Sequence, residues 1–242
     1  MRDYLLIYVN GRRHKISGER CFQSLSDYLR QDLGLVGTKV VCAEGDCGSC
    51  TVLVGRIRDG ELKFEGLDSC IQYLYQLDCT HVISVEGLKQ GNQIHPVQQA
   101  MVDAMGSQCG YCTPGFVMSI AAMLETRESL TRLSVQDGLT GNLCRCTGYG
   151  KIIDAVLAVN SDRPARSLPQ VGCSVGIPIR HLDGQSKVDA SLLYGDDAAP
   201  QDSVMVRVIR SPHHYASFKI GDKAAFLSKH PEIIAVLDAS DI

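Results

Sequence analysis

The run CAEGDCGSC places Cys42, Cys47 and Cys50 within nine residues, and Cys70 lies twenty residues beyond Cys50. Nothing else in the chain narrows its possible folds as much. Three thiols at C-x4-C-x2-C with a fourth farther along is the plant-type [2Fe–2S] spacing. Four thiolates on two irons gather negative charge that has to be stabilised away from water. Gly45 and Gly48 let the backbone wrap closely, so that its N–H groups can point at sulfur. A zinc site built from four cysteines is the competing reading. Zinc knuckles, however, pair one C-x2-C with another, and here three ligands crowd a single glycine-rich loop.

A second set follows. Cys109 and Cys112 form a C-x2-C in QCGYCTPG, and Cys144 and Cys146 a C-x-C in GNLCRCTGYG. Each pair precedes a helical pattern. If the two helices pack side by side, the pairs meet where the positive ends of both dipoles favour thiolate. Pro114 with Gly115, and Gly148 with Gly150, allow a tight entry into each helix. Eleven cysteines, an odd number in a chain of 242 residues, are too many for chance and not needed as disulfide staples, which again points to metal. Cys21, Cys79 and Cys173 fall outside both sets; Cys21 and Cys79 are expected as buried, unligated thiols.

Two β-prone runs flank Asn10-Gly11, a hairpin signal because a type I′ turn needs positive φ at both central residues. Leu25, Tyr28, Leu29 and Leu33 then fall at helical spacing, with Gly34 suited to the C-terminus. Strands are expected after the first cysteine loop, in GELKFEG and in HVISVEG. These elements describe a small α+β domain with its sheet curled over one helix. From His95 the pattern becomes helical: HPVQQAMVDAM with Pro96 at N1, TPGFVMSIAAMLETR with Thr113 as N-cap, SVQDGL, and GYGKIIDAVLAVN. The expected organisation is an α+β chain with domains at 1–88 and 89–162, a proline-rich linker at 163–180 and a small α+β tail at 181–242. In the tail, SVMVRVIRS and IIAVLD read as strands and DKAAFLSKH as a helix. About sixty residues ending on a fresh apolar strand make a poor core alone, so the tail is expected to dock onto another chain.

A net charge of −3 gives no reason to expect nucleic acid or an anionic membrane as partner. No apolar run approaches the roughly 18 residues of a membrane span. Arg12-Arg13 lacks the apolar stretch of an export signal, so the expected compartment is the cytoplasm, where thiols stay reduced.

CAEGDCGSC, QCGYCTPGF and NLCRCTGY together resemble the two [2Fe–2S] motifs of the molybdenum hydroxylases, the xanthine oxidase and aldehyde oxidoreductase family. The likeness covers residues 1–160, and all eight cysteines fall in place. It implies a β-grasp ferredoxin-like domain with Cys42, Cys47, Cys50 and Cys70 on one cluster. A four-helix-bundle domain with Cys109, Cys112, Cys144 and Cys146 on the other would follow. It also implies that the helical cluster lies nearest a molybdopterin, making Gln108 and the region of Cys146 candidate pterin contacts. Residues 179–242 resemble the opening of the molybdenum-binding subunit, in RHLDGQSKVDASLLYGDD, VRVIRSPHHYASF and HPEIIAVLDASDI. The family often continues its Lys-Val pair with Thr-Gly, where this chain has Asp189-Ala190.

On this resemblance the chain is the electron-transfer subunit of a hetero-oligomeric molybdenum hydroxylase acting on an aldehyde or N-heterocycle. The molybdopterin would sit mainly in a separate large subunit, through a split gene or a cleavage. FAD in a further subunit, or an external carrier, would accept the electrons. No catalytic residue is expected in this chain. Two other classes compete: a free-standing two-cluster carrier or redox sensor, and a zinc-bound interaction module.

Overall fold

A computed structural model describes residues 2–91, 93–126, 129–159, 170–173, 175–177, 179–200 and 202–241. Residues 163–169 of the expected linker lie outside these. The chain divides into two compact units, Met1–Ala199 and Pro200–Ile242.

The first unit opens with the expected hairpin. β1 (Leu5–Val9) pairs antiparallel with β2 (Arg12–Ile16), and Asn10 and Gly11 both take positive φ at the turn. β3 (Thr51–Arg58), β4 (Glu61–Asp68) and β5 (Thr80–Ile83) complete a five-stranded sheet of order β2-β1-β5-β3-β4, in which only β1 and β5 run parallel. Ile7, Val9, Val52, Val54 and Val82 bury one sheet face against Leu25, Tyr28 and Leu29. The helix carrying those residues is shorter than its spacing predicts. α1 spans Leu25–Asp27, capped by the Ser24 hydroxyl on the Asp27 N–H, and then widens into a π-turn over Tyr28–Asp32. The Leu33 N–H reaches back five residues to Tyr28, and Gly34 at φ +67° ends the turn.

The sheet is covered on its other side as well. Leu53, between Val52 and Val54, joins a second core formed by α2 (Pro96–Asp103), α3 (Thr113–Thr126), α4 (Arg132–Gly138) and α5 (Gly150–Ala158). A strand buried on both faces reads as a continuous apolar run rather than an alternating one, which is why TVLVG shows no period of two. Pro96 opens α2 behind a His95 cap, as its position predicts. Thr113 does not cap α3; it is the first helical residue, and its hydroxyl lies 2.7 Å from that of Ser107.

The sequence groups residues 181–199 with the tail, yet they pack with the first unit. The short helix α6 (Gly184–Val188) lies against α2 and α3, with Val188 fully buried. Gln98 Nε2 donates to the Val188 carbonyl at 2.8 Å, and Lys89 pairs with Asp189 at 2.8 Å. Farther on, the Asp197 carboxylate meets Arg30 at 2.6 Å and Lys39 at 2.5 Å. These residues form a strap fastened to both the sheet domain and the helical domain.

The second unit contains α7 (Lys223–Lys229), with the Asp222 side chain capping the N–H groups of Ala224 and Ala225. The two strands expected in SVMVRVIRS and IIAVLD are not formed among the described residues. Val204, Met205, Val206, Val208 and Ile209 stay exposed. The physical reason is pairing. β-prone sequence becomes sheet only when a neighbouring strand takes its N–H and C=O groups, and no such neighbour is formed among the described residues of this unit.

Candidate metal centres

The first cysteine loop sits between the end of the α1 turn and β3. Ala43, Gly45 and Gly48 all adopt positive φ, at 56°, 77° and 66°. This curls the backbone so that the N–H groups of Glu44 and Asp46 face the Cys42 sulfur, and they hold its thiol down at about 6. Cys47 lies within hydrogen-bond reach of Cys42. On the other side of the loop Cys50 and Cys70 face each other, and the Gly45 N–H points at Cys70. Burial pushes the Cys50 thiol up to about 12 and raises Cys70 too. A buried thiol of that kind carries its negative charge only when a cation replaces the lost hydration.

The second set of four also comes together, at the entries of α3 and α5, although α3 and α5 each pack on α2 rather than chiefly on one another. Cys112 immediately precedes α3, and Cys144 and Cys146 precede α5 across a turn in which Gly148 and Tyr149 both have positive φ. Cys112 faces Cys144, and Cys109 faces Cys146. Burial raises the Cys112 thiol above its ordinary value. Burial also pushes Cys144 up, but the Thr147 hydroxyl at 3.1 Å and the N–H groups of Thr147 and Cys146 outweigh it and bring the thiol down. Cys109 and Cys146 are exposed, as are Gln108 and Arg145, whereas Cys47 and Cys50 of the first set are buried.

In both sets the thiols come together two by two. The pairs also lie near one another: Cys70 of one pair feels Cys42 of the other, and Cys112 feels both Cys144 and Cys109. Two pairs side by side is the donor arrangement a binuclear cluster takes, with two thiolates on each iron. The residues therefore fit [2Fe–2S] clusters.

The two centres are joined through backbone. The Leu143 N–H, next to Cys144, donates to the Cys47 carbonyl at 3.0 Å, and Asn142 Nδ2 donates to the Gly48 carbonyl at 3.1 Å. A Cβ on Gly115 would stand 2.1 Å from the Gly48 oxygen, so only glycine lets α3 approach the first loop this closely. Asn142 was not singled out by sequence reasoning, although it lies inside the quoted NLCRC run. Tyr149 was also missed; its hydroxyl accepts the Cys144 N–H at 3.1 Å. Of the three remaining cysteines, Cys79 is exposed rather than buried. It holds a positive φ of 58°, and its sulfur lies 3.0 Å from the Arg2 guanidinium.

Residues 7–80 match the family described as 2Fe-2S iron-sulfur cluster binding domain, and residues 84–157 the one described as [2Fe-2S] binding domain. Over 156 residues the chain is 46% identical to a xanthine dehydrogenase of Oryza sativa subsp. japonica, covering 62% of this chain and 11% of that protein. The aldehyde oxidoreductase of Desulfovibrio gigas matches at a TM-score of 0.69 and 34% identity, over 80% of this chain and 22% of its own. A chain of quinoline 2-oxidoreductase from Pseudomonas putida 86 matches at a TM-score of 0.55 and 35% identity, over 64% of this chain and 92% of its own.

Two ferredoxin-type domains, each gathering four thiols in pairs, define a two-cluster [2Fe–2S] protein. The chain belongs to the molybdenum hydroxylase family and spans about a tenth of the curated xanthine dehydrogenase it matches, 11% of that length. Among the described residues no helix is long and apolar enough to cross a membrane.

Proposed function

We propose that this chain is the electron-transfer part of a molybdenum hydroxylase that acts on an aldehyde or N-heterocycle. Cys42, Cys47, Cys50 and Cys70 hold one cluster, and Cys109, Cys112, Cys144 and Cys146 the other. When bound, the clusters supply one-electron redox chemistry between a molybdopterin centre and FAD or an external acceptor. The observation that carries this reading is the pairing of all eight thiols in two domains whose ligand-bearing segments share the Leu143–Cys47 hydrogen bond.

The chain's own residues support a direction. Cys109, Cys146 and Gln108 are exposed together at the edge of the second centre, which suits them to face a pterin. The first centre keeps Cys47 and Cys50 away from solvent at 7% and 2% exposure. The molybdopterin lies in a partner chain or in a further part of a longer protein. Residues 181–242 read as the opening of that molybdenum-binding part. The likeness to the aldehyde oxidoreductase covers 80% of the chain, a larger share than residues 1–162 make up, and that supports this reading.

EPR of the dithionite-reduced protein tests the assignment. Two distinct [2Fe–2S] signals are expected, and Cys144→Ser should remove one while leaving the other. Survival of both signals in that variant would sink the proposed ligand set. Native purification should bring down molybdopterin.

A further inference from the structure

The strap makes two hydrogen bonds that packing alone does not require. Lys187 Nζ, on a side chain only 8% exposed, donates to the Gln108 carbonyl at 2.5 Å. The Tyr194 hydroxyl donates to the carbonyl of the next residue, Cys109, at 2.8 Å. The third residue of the loop, Gly110, sits at φ +92°. A Cβ there would stand 2.3 Å from the Tyr194 oxygen and 2.6 Å from Lys187 Cγ. Three consecutive residues of the second cysteine loop are thus met by the same two side chains. On the ferredoxin-like domain the strap's ion pairs end at Arg30 and Lys39.

We propose that Lys187 and Tyr194 are positioning residues that raise the reduction potential of the cluster held by the second centre, relative to that of the first. A reduced cluster carries one more negative charge than an oxidised one, and hydrogen bonds, net charge and burial set how well that charge is tolerated. A buried ammonium is screened far less than a surface one. Lys187 also pairs with Asp183 at 2.7 Å, but that carboxylate is 53% exposed and its field is correspondingly weaker. Both donors polarise carbonyls of the loop that carries Cys109. Removing Lys187 also leaves Asp183 uncompensated, which lowers the potential further, so the two effects share one sign.

This inference rests on the ligand assignment proposed above, and the experiment separates the two. The full-length, cluster-bound protein is titrated with mediators while both EPR signals are followed. Lys187→Met should lower the midpoint of the signal that Cys144→Ser abolishes. The expected shift is about tenfold in the reduced-to-oxidised ratio at fixed potential, or about 59 mV for a one-electron couple. The other signal should keep its midpoint. Lys187→Arg should restore most of the shift, and Tyr194→Phe should move the same signal the same way by a smaller amount. Lys89→Met breaks the strap's ion pair with Asp189, away from the cysteine loop, and should leave both midpoints in place.

Unchanged midpoints in Lys187→Met, with Cys144→Ser still selective, overturn the inference and spare the ligand assignment. Equal shifts in Lys187→Met and Lys89→Met overturn it too, because loosening of the strap would then suffice. If Lys187→Met fails to hold its cluster, Tyr194→Phe decides alone. Loss of neither signal in Cys144→Ser removes the assignment and the inference together.

Discussion

Asp197 fastens the end of the strap, and its replacement by asparagine is the sharpest test of how the first unit is held together. The carboxylate is 2% exposed and lies 2.6 Å from Arg30 and 2.5 Å from Lys39, which is itself 1% exposed. Asn keeps the shape but removes the carboxylate charge that faces the buried Lys39 ammonium, at 1% exposure, and the Arg30 guanidinium, at 15%. Breaking a buried pair from one side costs about 3–5 kcal/mol. That cost falls on the closed state of the strap, so segment 184–199 should open more often. At about 1.4 kcal/mol per factor of ten, its amide exchange should speed up by roughly 100- to 4,000-fold. Hydrogen–deuterium exchange with peptide resolution reads this directly. Double replacement, Asp197→Leu with Lys39→Met, should recover part of the loss, because the buried Lys39 charge is removed together with its partner while Arg30 keeps its bonds to the Val36 and Thr38 carbonyls.

The pH dependence has a definite sign. Burial pushes the Asp197 carboxyl up, but hydrogen bonds from Lys39 and Arg30 outweigh it and hold the group below its ordinary value. The stabilisation is therefore complete above the unfolded value of about 3.9 and is lost as pH falls through the lower folded value. Wild-type protection of the strap should be level from about pH 5 to 8, and this acid loss should be missing in Asp197→Asn. Exchange in that variant within threefold of wild type would refute the reasoning.

Two further outcomes follow from the same geometry. Gly115→Ala would ordinarily gain up to about 1 kcal/mol within a helix. Here the new Cβ meets the Gly48 carbonyl oxygen at 2.1 Å, so the variant should lose roughly 1–3 kcal/mol by overpacking, seen as a lower denaturant midpoint; a higher one contradicts the close approach. Alkylation should modify exposed Cys79 and Cys173 quickly and half-buried Cys21 slowly in the cluster-bound protein, with the other eight thiols appearing only after iron is removed. Mass spectrometry counts the adducts, and a fourth modified thiol before iron removal would break the ligand assignment.

What could be read from the chain was what is encoded locally. Cysteine spacings, the Asn10-Gly11 turn, the Pro96 helix start and the glycines at positive φ are decided within a few residues, and each is visible in order along the sequence. Departures arose where a neighbour decides. The helix at Leu25 shortens into a π-turn that buries Tyr28 and Leu29 under the sheet, and the Tyr28 hydroxyl meets His14 Nδ1 at 3.0 Å. Thr113 gave up its cap to bond Ser107. Cys79, apolar in isolation, stays at the surface beside Arg2.

The strap shows why tertiary fastening leaves so faint a trace. Three of its anchors end on main-chain oxygens, those of Gln108, Cys109 and Val188, and any residue supplies a carbonyl. Only the donors carry identity, and a lone lysine, glutamine or tyrosine in a polar stretch reads as a solvated side chain until the fold places it. Asp197 is harder still, because its two partners lie 167 and 158 residues earlier. The apolar segments after Pro200 invert the case. Val204 to Ile209 have β composition in plain view, but a strand is a property of two segments, and among the described residues of this unit no second one pairs with it. Local chemistry therefore specified both cysteine centres, while the contacts that hold Gln108, Cys109 and Gly110 under Lys187 and Tyr194 emerged only from the packed chain.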